Sequence, residues 1–441
     1  MSAPAATSPD RHAAYDKSRI FLVSVLSLVT AGISFALRGL VTPALKTAFF
    51  DQIDFANSAS LVGGALSVAF LGFAITIAVG SPLLDLLGMH RLLPLSSVCF
   101  AVGSLEMIFA GQIAQGAGVR WVIWSAALIM GVGWGLTETV INPLTATLYP
   151  ESRTEKLNVL HAWWPGGIII GSLAGLALSG LGLNWQWQLG LTLIPAAITL
   201  VMCVGVKFPP TERAAAGVPF SAMFKELLRP MFIVFWLAMF LTAASELAPG
   251  QWVEFALTKT VGMHGILLLT YVSALMFVMR HFAGPLVHKL SPVGLLWIAC
   301  LLASIGLVLL SLANSPVTGL LAATVWGTGV CYMWPTMLAT ASERFPRGGA
   351  LLIGLMGTAG TLSSFFVIPI LGWIYDKTAV REAGGVEALK TLTGPALERV
   401  QIIAAQTSFR SVAFLPAILL VVFGAIWLYD RSRGGYRPER L

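Results

Sequence analysis

Twelve stretches of roughly 20 apolar residues, the length a helix needs to cross a bilayer, recur along this 441-residue chain. They lie at approximately 19–44, 57–82, 92–113, 120–148, 156–181, 187–207, 230–256, 264–287, 293–313, 316–342, 349–375 and 408–430. Little chain is left between them, so the expected fold is an all-α membrane protein with twelve transmembrane helices. Only 11% of the residues are charged, against about 25% in soluble domains. That excludes a soluble, collagen-like, disordered or disulfide-rich chain.

The net charge of +7 does not point to nucleic acid, because the basic residues fall in alternate loops, as the positive-inside rule predicts. Eighteen Lys and Arg lie on the side of the N-terminus, eight on the other, and Arg38 lies within a span. The expected topology is N-in, C-in, in a lipid bilayer. Cys99, Cys203, Cys300 and Cys331 all fall in spans, without metal-ligand spacing, and are expected as free thiols. Residues 1–18 are polar with no cleavage site, so no removed signal peptide is expected. A polar, Pro-containing interruption at 208–229 divides the chain into bundles at 19–207 and 230–430, flanked by tails 1–18 and 431–441. The segment 376–407 reads as a long outer loop with short helices at Val386–Lys390 and Ala396–Gln401.

Within the fourth span stands Glu138, with Asn142 four residues on and Pro143 after it. A carboxylate in hydrocarbon costs several kcal/mol, so such residues usually face a cavity or a partner. Asn142 shares its helical face, and the proline removes a backbone donor. A binding site fits this cluster; the plain alternative is a structural acid satisfied by Asn142 or a basic partner.

The halves repeat weakly. Gly80 to Leu93 after the second span corresponds to Gly284 to Leu296 after the eighth, 204 positions on. Gly131-Val-Gly133 and Asn142-Pro143 in the fourth span match Gly327-Thr-Gly329 and Trp334-Pro335 in the tenth. Duplicated six-helix halves with a site between them are a recurring transporter plan.

On these residues the chain resembles the major facilitator superfamily. Asp85, Gly88 and Arg91 match its loop signature between helices two and three, with the first glycine one residue too far upstream and His288 or Lys289 where the second copy could carry an acid. Glu138-Thr-Val-Ile-Asn-Pro143, Pro150-Glu-Ser, Leu157-Asn-Val-Leu-His161, Gly166, Gly167 and Glu246-Leu-Ala-Pro-Gly-Gln-Trp252 are similar to the fucose–proton symporter branch. The resemblance implies two pseudo-symmetric six-helix bundles, a sugar as the small-molecule substrate, and Glu138 as the proton-coupling acid. The branch's second acid, in helix one, is replaced here by Gly39 beside Arg38.

The remaining candidates follow from type and depth. Trp134, Trp163, Trp164, Trp252, Trp326 and Trp334 lie in helices that line the cavity in the resembled architecture and offer aromatic faces to a sugar ring, Trp134 and Trp252 before the others. Asn142, Gln251 and His161 offer polar groups to its hydroxyls; packing is the plain alternative for each. Arg38 and Glu246 are similar in depth at 1.5 Å per residue and stand 208 positions apart. They are expected as a gating ion pair when the carrier faces inward, and Asp85 and Arg91 as loop gating residues. Glu106 is expected to hydrogen-bond a neighbouring helix, and Glu254 to be solvated near the interface. No phosphate loop, catalytic triad or metal cluster emerges. No enzyme, cofactor or nucleic-acid partner is therefore expected. A proton is the expected coupling ion, with sodium as alternative, in a monomeric carrier of a bacterial cell inner membrane. The competing functions are a proton-driven exporter of amphipathic compounds and a non-transporting membrane sensor.

Overall fold

The computed structural model describes residues 15–149, 153–210, 224–282, 289–437 and 439, apart from a few helical side chains, that of Asp85 among them. Pro150-Glu-Ser, His288, residues 1–14 and most of the segment 208–229 lie outside the described residues. Backbone groups left unpaired in hydrocarbon cost several kcal/mol each, so the apolar spans close their hydrogen bonds internally as helices. The first half holds α1 (Lys17–Leu45), α2 (Ser58–Leu87), α3 (Met89–Ile108), α4 (Val119–Leu148), α5 (Arg153–Gly180) and α6 (Trp185–Met202). The second half begins with α7 (Pro230–Val261), α8 (Gly265–His281), α9 (Pro292–Leu312) and α10, which runs as Pro316–Val330 and then Met333–Arg344. It continues through α11 (Gly349–Ala383), α12 (Val386–Thr391), α13 (Gly394–Val412) and α14 (Phe414–Ser432).

Among the described residues, eleven helical spans are long and apolar enough to cross a membrane, and α8, with 17 residues, is shorter. The segment 376–407 is not the long loop its charges suggest. Helix α11 continues to Ala383, and the short helix expected at 396–401 extends into the 19-residue α13. Its apolar stripe, Val400, Ala404, Ala405 and Phe409, is buried, which keeps a weakly apolar segment helical.

The sequence repeat has a packing counterpart. A Cβ at Gly131 would lie 1.9 Å from the Ala69 carbonyl of α2, and one at Gly327 would lie 3.0 Å from Val272 of α8. A Cβ at Gly133 would lie 2.8 Å from the Ser96 carbonyl of α3, and one at Gly329 would lie 2.4 Å from the Ala303 nitrogen of α9. Small residues let membrane helices approach this closely, so α4 and α10 hold equivalent places in the two halves. Large apolar side chains remain exposed on α3, α6, α9 and α14, such as Val102, Ile198, Ile305 and Val421. These four helices contribute part of the outward apolar surface expected to meet lipid.

The halves meet through α2 against α11, α5 against α8 and α1 against α7. Both ends of that interface are shut. On the side bearing the chain ends, here the terminal side, Gly354 of α11 lies against Ser81 of α2. On the far side Gly372 lies against Ala59.

Beyond the spans on the terminal side, Arg229 forks onto the Glu439 carboxylate and meets Glu226 at 3.1 Å. Tyr436 donates to Glu343 at 2.6 Å. The Arg229 guanidinium holds the Glu439 carboxyl below its usual range. The contribution of this contact is therefore present above the unfolded carboxyl pKa of about 4.3 and is lost as pH falls through the lower, folded value. Weaker protection of the Glu439 amide, which donates to the Glu343 carbonyl, measured as exchange relative to the intrinsic rate at the same pH, is expected below about pH 4 and at neutral pH in Glu439→Gln.

Candidate functional site

Prolines determine where unpaired polar groups appear near the middle of the fold. A proline has no N–H for the carbonyl four residues before it. Pro165 in α5 thereby releases the carbonyl of His161, Pro249 in α7 that of Ser245, and Pro335 in α10 that of Cys331. Each finds a side chain. Arg280, in the last turn of α8, donates Nη1 to the His161 carbonyl at 3.3 Å and Nε to the Cys331 carbonyl at 3.1 Å. Trp326 of α10 donates its indole N–H to the Ser245 carbonyl at 3.1 Å.

Around these groups runs a polar chain that crosses between the halves. In α4, Asn142 donates to the Glu138 carboxylate at 2.8 Å. Its amide oxygen lies 2.9 Å from His161 Nε2; an amide oxygen only accepts, so Nε2 carries the proton. The His161 carbonyl is held by Arg280, and Arg280 Nη2 reaches Glu246 Oε1 of α7 at 3.4 Å. Two buried carboxylates, one per half, are thus joined through one amide, one imidazole and one guanidinium.

Glu246 borders a void of about 10 Å³ between the halves, at the limit for one ordered water. Phe35, Trp164 and Ile168 close it from the first half; Gly250, Leu269, Ser273, Met276 and Trp326 are among the residues closing it from the second. Three polar atoms of this lining, Trp164 Nε1, Glu246 Oε2 and Ser273 Oγ, are buried without a protein partner. Buried polar groups are almost always hydrogen-bonded, so these three atoms leave hydrogen-bonding capacity unused at the void.

The structure brings Glu138, Asn142 and His161 together and places Glu246, Trp164 and Trp326 at the void. The other sequence candidates lie elsewhere. Trp134 is one layer back, stacked on Trp164 at 5.9 Å. Trp252 is fully buried against Phe255 at 4.5 Å. Trp334 packs on Gly360 of α11. Helical rotation is the reason: Trp164 and Trp326 take the inward positions instead. Gln251 donates to the Phe35 carbonyl at 2.7 Å, joining α7 to α1, and Gly39 leaves room for it, its Cβ position being 3.3 Å from the amide.

The expected Arg38–Glu246 ion pair is not formed. Phe35 and Gly39 face the second half, while Arg38, 100° around the helix from Gly39, turns to α2 and reaches the Leu66 carbonyl at 3.4 Å. Among the described residues it has no carboxylate partner. Glu254 is buried rather than solvated: it accepts from the Ile266 N–H at 2.7 Å and pairs with His264 at 3.1 Å. Glu106 receives the Ser125 hydroxyl of α4, the expected neighbouring-helix bond. In the loop motif, Gly88 has φ +82°, which suits glycine; Arg91 is exposed, and the side chain of Asp85 lies outside the described residues.

Two groups are missed by sequence reasoning. Arg280 lies inside the eighth apolar stretch, a signal hidden when it is counted with the inner-loop bases. Asp376 is buried in α11 and accepts the backbone N–H groups of Ala59 and Ser60 of α2, at 3.3 and 2.8 Å; no local pattern marks it.

The fold has solved counterparts. A D-xylose–proton symporter aligns over 88% of this chain and 96% of its own, with TM-score 0.69 and 19% identity. The partially occluded, inward-open xylose transporter of E. coli covers 92% and 97%, with TM-score 0.70 and 15% identity. In sequence, a D-xylose transporter of Levilactobacillus brevis is 28% identical over 34% of this chain and 31% of its own length. A myo-inositol transporter of Saccharomyces cerevisiae is 26% identical over 35% and 24%. The matched stretch thus spans a third or less of these curated relatives. Residues 27–377 match the Major Facilitator Superfamily, and with the helical architecture above this makes the chain a multi-pass membrane transporter, not an enzyme, that belongs to the Major Facilitator Superfamily.

Proposed function

We propose that this transporter takes up a monosaccharide or cyclic polyol together with a proton, as a monomer in a bacterial inner membrane with both ends in the cytoplasm. The observation that carries this reading is the lining of the central void. Phe35, Trp164 and Trp326 present apolar faces, and the unpartnered Trp164 Nε1, Ser273 Oγ and Glu246 Oε2 present donors and an acceptor around them. A polyhydroxylated ring has that same division into an apolar face and hydrogen-bonding edges. The similarity to a D-xylose transporter and a myo-inositol transporter supports it.

Glu138 is the proposed proton site, with Asn142 and His161 linking it to the void-facing groups. A proton shifts the carrier only if it binds the two end states differently. The symport cycle has a protonated Glu138 on the side of uptake and loses the proton with solute release. The shut void, at about 10 Å³, is too small for the solute itself, so the ring enters and leaves only as the halves part.

The test is uptake into proteoliposomes under an imposed pH gradient, with xylose, myo-inositol and related polyols. Solute-dependent proton influx, with accumulation of about tenfold per pH unit, supports the reading. Proton flux driven by lipophilic cations instead, or no coupled flux with any polyol, sinks it.

A further inference from the structure

The contacts that shut the two ends of the interface share a chemistry that the proposed solute site does not require. On the terminal side, Arg280 of the second half completes the His161 carbonyl of the first, which Pro165 has left without its helical donor. On the far side, Asp376 of the second half completes the Ala59 and Ser60 N–H groups in the first turn of α2, where helical donors are unpaired in any case. Arg280 and Asp376 are 4% and 7% exposed. Each is a buried charge whose partner across the interface is backbone, and each bond is charge-assisted.

We propose that Arg280 and Asp376 are the positioning residues of the two gates: Arg280 pins the terminal side, Asp376 pins the far side, and transport breaks them alternately. When α5 leaves α8, Arg280 loses only the His161 carbonyl. Its bonds to the Cys331 carbonyl and Glu246 lie within its own half and remain. The charge is therefore never stripped of partners, and the released carbonyl faces an opening cavity. When α11 leaves α2, Asp376 and the first turn of α2 are both exposed to water at the far rim. Each gate costs little to open once water can enter and holds only when water is excluded. Both sides are pinned in this structure, which is the occluded arrangement such a pair requires.

Neighbouring contacts fit these positions. Beside Arg280, Trp163 and Gly166 of α5 pack on Phe277 of α8, with Trp163 and Phe277 ring centroids 5.5 Å apart. Beside Asp376, one turn earlier, Gly372 packs so closely on α2 that a Cβ there would lie 2.4 Å from the Ala59 carbonyl oxygen. Apolar close packing excludes water around each charged pin.

The inference rests on the alternating-access reading but not on the solute. The test places a single cysteine at Ser273, which lines the void, after replacing Cys99, Cys203, Cys300 and Cys331. A membrane-impermeant maleimide is applied from either side of oriented vesicles, with the chain ends located by tag cleavage. Asp376→Asn is expected to speed labelling from the far side alone, by about tenfold, and Arg280→Gln from the terminal side alone by a similar factor, as for loss of a charge-assisted bond. Arg280→Lys keeps the charge but lacks the fork that reaches two carbonyls and should show the same sidedness. Pro165→Ala gives the His161 carbonyl its helical N–H back without altering any charge. It should speed terminal-side labelling by about threefold, since a carbonyl can still share its second lone pair. Equal change from both sides, exchanged sides, or no change in these variants overturns the assignment. Labelling needs no substrate, so failure of the polyol reading leaves it standing, and polyol uptake without the sided pattern removes it alone.

Discussion

Proteoliposomes carrying Glu138→Gln are expected to lose uphill uptake while keeping solute exchange. One proton per solute lets a gradient of one pH unit sustain about tenfold accumulation, because one unit is worth about 1.4 kcal/mol. The variant should fall to about unity under the same gradient, with counterflow within about threefold of the parent. Glutamine preserves the shape and still offers an oxygen to the Asn142 amide, now 2.8 Å from the carboxylate, so the packing of α4 is spared. What disappears is the group that can change charge. Asn142→Ala provides the contrast: it removes the bridge from Glu138 to His161, and both exchange and accumulation should decline. Parental accumulation in Glu138→Gln would show Glu138 to be a structural acid and would move the search for the coupling group to Glu246. Loss of counterflow along with uptake would also point to a structural role.

Much of the fold was legible because period and length carry it. The apolar stretches give the helices, and the paired glycines Gly131/Gly133 and Gly327/Gly329 give the equivalence of α4 and α10. The close approaches at those positions explain why the repeat exists. In the candidate site, Glu138 and Asn142 were visible because they share one helix at i, i+4. Partners on other helices were not. Glu246 could be given a depth but not a rotation, and depth alone favours Arg38. The geometry instead gives Glu246 to Arg280, whose side chain reaches back from the end of α8. Tryptophans show the same limit: Trp134 and Trp164 are both near the right depth, and only helix rotation puts Trp164 at the void and Trp134 behind it. A usable signal did exist in the three prolines. Each one announces a carbonyl in need of a donor four residues earlier, and two of those donors prove to be the same arginine. Asp376 had no such marker, since its partners are the first backbone N–H groups of a helix more than 300 residues away in sequence.

Replacing Gly372 with leucine is expected to stop transport while leaving the protein folded. A Cβ there would lie 2.4 Å from the Ala59 carbonyl oxygen and 2.7 Å from the Ser60 Cα. These are backbone atoms of the opposite half, in a helix turn that cannot yield as a flexible side chain does. A side chain at 372 therefore wedges α11 away from α2 on the far side. The neighbouring Asp376 contacts, on the same face one turn later, should part with it. Neither half is penetrated, so each keeps its own core, and the carrier can relieve the clash by opening as it must in every cycle. Uptake and counterflow should both drop by about 100-fold or more, because no turnover completes without closure at this end, and a loss of about 2.7 kcal/mol from the closed state gives that factor. Thermal stability in detergent should change little. Gly306→Leu makes the opposite case: its Cβ would lie 2.3 Å from the Trp326 nitrogen, between α9 and α10 within one half, where no functional motion relieves it. Overpacking of this kind costs about 1–3 kcal/mol or more, so that variant should unfold at lower temperature. If Gly372→Leu lowers the melting temperature as much as Gly306→Leu does, the far-side contact belongs to a permanent core rather than to a gate.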